Sequence, residues 1–93
     1  MGARRQSAII KQEKFNIMIN TIQKITGVGR SDAEAIAVRW IIQDDHGTYR
    51  DAAIETGLPR ASVFAAWLDS DYRMQSKAFR DAYEATKKHF SNP

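Results

Sequence analysis

Ninety-three residues suffice for one domain with a single core and are too few for a cleft between two lobes. The chain has no cysteine, which excludes disulfides and thiolate metal sites, and it has no apolar run long enough to cross a membrane. The net charge of +3 is modest and unevenly placed.

Residues 1 to 30 carry Arg4, Arg5, Lys11, Lys14, Lys24 and Arg30 against Glu13 alone. From Asp71 onward, Arg73, Lys77, Arg80, Lys87 and Lys88 again outnumber the acids, whereas residues 31 to 70 hold three arginines against seven carboxylates. Both ends are basic and the middle is acidic. Nucleic-acid binding by bulk charge alone would not take this form, so any phosphate attraction is expected from the ends. A soluble, cytoplasmic protein is expected, because Met-Gly-Ala-Arg-Arg runs into charged and amide residues and not into a signal-peptide core.

Residues 1–6 are expected to form a basic arm. The first helix is predicted from about Ser7 to Ile25, with Phe15, Met18, Ile22 and Ile25 on its apolar face. Ile10, Ile17 and Ile19 fall outside that stripe. Such a wide apolar surface either meets a second subunit or packs under the last helix, and a homodimer or larger homo-oligomer is expected on the first alternative.

Gly27 and Gly29 then make a tight turn, and Ser31 with Glu34 has the spacing of a capping box. The segment Ile22-Gln-Lys-Ile-Thr-Gly-Val-Gly-Arg-Ser-Asp-Ala-Glu-Ala-Ile36 resembles the helix-hairpin-helix motif. That resemblance implies phosphate contact at the glycine loop, with Lys24 and Arg30 flanking it. A nucleotide-binding loop is excluded by the missing third glycine, the missing Gly-Lys-Ser/Thr and the missing strand.

The second helix, Asp32 to about Asp45, places Ala33, Ile36, Ala37, Trp40 and Ile41 on one face, with Trp40 as the anchor. Asp44, Asp45 and His46 read as a solvated helix end and not as a metal site, His46 lying near the last carbonyls and Gly47 acting as the stop. Thr48 and Asp51 have capping-box spacing for the third helix.

The stretch Tyr49 to Leu68 is the most specific in the chain. Gly57 marks a tight turn between two short helices. Ala53 stands four residues before it, where a small side chain permits close crossing, and Val63 six residues after it, pointing back inward. Ile54 is expected in the core, Leu58 closes the turn, and Pro59 suits the start of the next helix. Residues 48–68 are therefore read as a helix-turn-helix. Val63, Ala66 and Trp67 face inward, and Arg60, Ala61, Ser62, Phe64 and Ala65 face outward. Arg60 and Ser62 can bond base edges or phosphates, Ala61, Phe64 and Ala65 can meet thymine methyls, and Arg50 adds a charge nearby. An exposed Phe64 equally suits a protein partner.

Asp69-Ser70-Asp71 reads as a polar break before a last helix to about Phe90. That helix has an aromatic stripe at Tyr72, Phe79, Tyr83, Thr86 and Phe90.

The run Arg50-Asp-Ala-Ala-Ile-Glu-Thr-Gly-Leu-Pro-Arg-Ala-Ser-Val resembles the helix-turn-helix of the factor for inversion stimulation and related bacterial regulators, which implies DNA contact by Arg60 and Ser62. Gly57-Leu-Pro, Ser62-Val-Phe, Trp67-Leu and Phe79-Arg-Asp-Ala-Tyr-Glu-Ala-Thr86 resemble the DNA-binding domain of bacteriophage small terminase subunits, departing in Trp67, which stands four residues after Val63 and not three. That second resemblance implies recruitment of viral DNA and assembly into rings.

The expectation is an all-α, five-helix single domain, residues 1–93, that binds double-stranded DNA as a regulator or recruiting subunit in a bacterium or bacteriophage. The alternative is a protein-interaction module or oligomeric adaptor of the same fold. No nucleophile and base stand at a recognisable spacing, and the two histidines are forty-three residues apart. No catalytic residue, metal or cofactor is expected.

Overall fold

The computed structural model describes residues 2–45 and 47–91, with side chains from Lys11 on. The five helices are α1 (Gly2–Thr26), α2 (Arg30–Gln43), α3 (Tyr49–Thr56), α4 (Arg60–Arg73) and α5 (Lys77–Ser91), an all-α architecture as expected. Residues 2–6 are helical and continuous with the rest of α1, since nothing between Gly2 and Gly27 breaks a helix and Ala, Arg, Gln and Lys favour one. The side chains of Arg4, Arg5 and Ile10, and the helix-end role expected of His46, lie outside the described residues. At 1.5 Å per residue α1 is about 37 Å long, and it accounts for much of the 45 Å long axis of a body 25 and 24 Å across.

The core is built round α2, which touches each of the other four helices. Ala33, Ala35, Ile36, Ala37, Val38 and Ile41 are all buried. Four of these are consecutive, so α2 is enclosed on nearly every side and is not the one-faced helix its spacing suggested. Trp40 is only partly buried and stacks against Phe90 of α5 at 5.3 Å. The anchor at the centre is Ile36.

From α1, Phe15, Ile19 and Ile22 enter the core, with Met18 beside them. Ile25 is exposed because it lies roughly 120° around the helix from Ile19. Ile19 is buried although it falls outside the expected stripe, since the series 15, 18, 22 and 15, 19, 22 are both helical. From α5, Phe79, Ala82, Tyr83 and Thr86 are buried as their spacing predicted.

The expected break at Asp69-Ser70-Asp71 does not occur. The Ser70 hydroxyl donates to the Trp67 carbonyl at 2.7 Å and accepts from Arg39 at 3.2 Å, while Arg73 donates to Asp69 one turn earlier at 2.8 Å. These side chains find partners within the helical conformation and have no need to cap an end. The break falls at Met74–Ser76, where Arg80 donates to the Met74 and Gln75 carbonyls at 2.8 and 3.0 Å and the Ser76 hydroxyl accepts from the Phe79 amide at 3.4 Å. Tyr72 therefore belongs to α4 and is exposed.

Of the two expected capping boxes one forms. Thr48 and Asp51 bond each other's backbone amides at 3.1 and 3.2 Å. At α2 the helix begins two residues earlier than expected, with Gly29 as the uncapped N-cap. Ser31 instead accepts a hydrogen bond from Arg73, which also pairs with Asp32. A Gly29→Ser change should supply the missing cap, since Gly29 has an extended conformation (φ −70°, ψ 168°) and open space around it. It is expected to stabilise by about 0.5 kcal/mol. Gly27→Ala, also in open space but at φ +77°, is expected to cost about 1–2 kcal/mol. Paired thermal melts check both signs.

Asp44 is not the solvated carboxylate its position suggested. It accepts the hydroxyl of buried Tyr83 and lies 3.6 Å from Lys87. Burial first, and then the bond to Asp44, push the Tyr83 phenol well above its ordinary value of 10. The folded state thus keeps a proton that the unfolded chain releases above about pH 10, so this contribution is intact below that pH and is lost as pH rises further. Urea titrations at about pH 8 and about pH 11 should show the loss, and Tyr83→Phe should remove that part of the pH dependence.

Candidate nucleic-acid interface

The turn between α3 and α4 is fixed from within and from outside. Thr56 is fully buried; its hydroxyl donates to the Ala52 carbonyl at 2.7 Å and accepts from the Leu58 amide at 3.2 Å. Gly57 adopts φ +74°, a left-handed conformation that favours glycine, and its amide bonds Ala53 at 3.0 Å. From α1, the Gln12 side-chain amide reaches the Gly57 carbonyl at 3.0 Å. Pro59, at φ −61° and ψ 149°, stands at the N-cap and launches α4 at Arg60.

Close packing of the pair rests on Ala52, which is fully buried, with Ala53 partly buried beside it, and on Val63, which is fully buried as expected. Ile54 is not a core residue; it is 51% exposed because it lies two positions beyond Ala52, on another side of the helix. Tyr49 supports α4 edge-on, its ring centroid 5.3 Å from that of Phe64 and 6.3 Å from that of Trp67. Trp67 in turn has the Arg39 guanidinium 4.7 Å from its centroid.

Arg60, Ala61, Ser62, Phe64 and Ala65 are all exposed. The same face continues through Leu68 and Tyr72, 52% and 72% exposed. Tyr72 joins this face because α4 continues past Leu68, where the sequence suggested its end.

The turn between α1 and α2 duplicates this geometry thirty residues earlier. Thr26 donates to Ile22 and accepts from the Val28 amide, Gly27 has φ +77°, and the helix begins at Arg30 after an extended residue. The shared sequence Thr-Gly-x-x-Arg at 26–30 and 56–60 was the available signal. Both helices thus start with an arginine beside their positive dipole ends, where a cation is disfavoured by about 0.3–1 kcal/mol.

The structure brings together some of the expected site residues. Arg30, Ser62 and Ala65 line one open groove of about 620 Å³ between α2 and α4. Glu34 and Asp69 line it too, so the groove is of mixed charge. The Arg30 guanidinium donates to Asn16 and Asn20 of α1 at 2.9 and 3.5 Å, which holds it at the rim. Arg60 is exposed and, among the described residues, makes no ion pair. Lys24 and Arg50 are exposed, and no hydrogen bond or ion pair ties either to α4 among the described residues. Among the described residues no three His, Cys, Asp or Glu side chains gather as a metal site, and no helix is long and apolar enough to cross a membrane.

No protein-family model, curated protein or solved structure matches the chain.

Proposed function

We propose that the chain binds double-stranded DNA through a helix-turn-helix formed by α3 and α4, acting as a regulator or as a DNA-recruiting subunit of bacterial or bacteriophage type. The N-terminal turn of α4 would meet the bases in the major groove, and the basic ends of the chain would hold phosphates. The observation that carries this reading is the start of α4. Arg60 and Ser62 project from a turn clamped by Thr56, Gly57 and Gln12, and α4 has neither a side-chain cap nor an acid in its first turn. A helix N-terminus that bears an arginine and lacks an acid is locally unfavourable, and a phosphate or a guanine edge reverses the penalty. Arg30, which lines the α2–α4 groove together with Ser62, would hold a flanking phosphate.

Selection of bound duplexes from a random pool tests the proposal. A recurring motif among the bound sequences is the expected result; no retention of any duplex at low salt would overturn it.

A second reading has its own support, since Phe64, Leu68 and Tyr72 make an apolar surface that a protein could cover.

A further inference from the structure

We infer that the exposed face of α4 pairs with the same face of a second copy of this chain, the two helices antiparallel. The face is an uninterrupted apolar arc of Ala61, Phe64, Ala65, Leu68 and Tyr72, residues that recur at steps of three and four and all of which are exposed. No charge falls within the arc.

The charges at its border choose the occupant. Arg60 and Asp71 lie along one edge of the arc, about three turns apart and of opposite sign. A two-fold axis crossing α4 beside Ala65 sets each Arg60 opposite Asp71 of the second copy, so both ion pairs close at once. The same axis places Phe64 beside Leu68 of the second copy and Tyr72 against its Ala61. Ala61 and Ala65 leave room for the backbones to approach, and the larger side chains fill the gap on either side. Nucleic acid lying along the whole arc would bring phosphate against Asp71, about three turns from Arg60, whereas a second copy presents an arginine there.

Burial on each copy would be roughly 500 Å², below the about 800 Å² of a standard interface, so the pair is expected to be reversible and weak, dissociating at roughly 10 µM to 1 mM. Pairing would cover Arg60, and so compete with the DNA contact proposed above. Only that competition rests on the DNA-binding reading; the pairing itself needs no DNA.

Sedimentation equilibrium of the full chain, without DNA, from about 10 µM to about 1 mM tests the pairing. The mass should rise from one chain toward two. Leu68→Glu should abolish the rise, Arg60→Asp should weaken association about tenfold, and the double variant Arg60→Asp/Asp71→Arg should restore it. Because Asp71 also lies 3.6 Å from Arg39, thermal melts of the variants should accompany the sedimentation. A monomer at every concentration would overturn the inference, as would association indifferent to Leu68→Glu, or failure of a folded double variant to recover. If the chain pairs but retains no duplex, only the competition falls; if it binds duplex but stays monomeric, only the pairing does.

Discussion

Truncating Ile36 to alanine is expected to lower the unfolding free energy by about 2–5 kcal/mol, the largest stability effect anticipated here. Ile36 is completely buried at the middle of α2, which touches each of the other four helices, so a cavity there loses packing that several helices share. Neighbouring Ala35, Ala37 and Val38 are also enclosed, which leaves the surroundings little freedom to collapse into the space. Against the roughly 5–15 kcal/mol that holds a typical domain together, this is a large share of the total. Ile54→Ala, in an exposed isoleucine of α3, is the control and should change stability by no more than about 0.5 kcal/mol. Urea denaturation of both variants decides the matter; equal shifts in midpoint would contradict the placement of α2 at the centre.

Arg60→Ala is expected to weaken binding to a selected duplex by about 1–3 kcal/mol, or roughly five- to 150-fold in affinity. The same change should leave the fold intact or slightly stabilised, because Arg60 is exposed and its charge opposes the dipole of α4. That separation of binding from stability is what distinguishes a contact residue from a structural one. Phe64→Ala gives the opposing test. If α4 served only a protein surface, loss of the Phe64 ring would impair its function while Arg60→Ala did little. Fluorescence anisotropy with the selected duplex, alongside thermal melts, reads both quantities.

Much of the fold could be read from local signals. Gly57 forecast a tight turn and makes one; Thr48 and Asp51 forecast a capping box and form it; the stripe Phe79, Tyr83 and Thr86 forecast the buried side of α5. These features depend on neighbours within one turn, which the sequence displays. The misses depend on distant partners. Asp69, Ser70 and Asp71 look like a helix boundary until Arg39 of α2 is brought beside Ser70 and Asp71. Ser31 was assigned to a cap and instead serves Arg73, forty-two residues away. Trp40 is the natural anchor by size, yet the centre accepts only smaller side chains from α2.

The candidate interface shows the same division. The outward face of α4 from Arg60 to Ala65 was legible from helical spacing. Its continuation to Tyr72 was not, since that depended on where the helix ends. Arg30 was singled out for its glycine loop, and its position across a groove from Ser62 is a tertiary fact. The clamp from Gln12 to Gly57 spans forty-five residues and left no local mark in the chain.

The proposal as a whole requires the start of α4 to supply geometry and the basic ends to supply much of the attraction. Its most direct test is the affinity for a duplex measured across a range of salt concentrations. Log affinity should fall steeply and linearly with log salt, by about 0.9 for each phosphate neutralised, and the slope should shrink by about one for each contacting arginine or lysine removed. Affinity that does not change with salt, or no binding at the lowest salt, would contradict it.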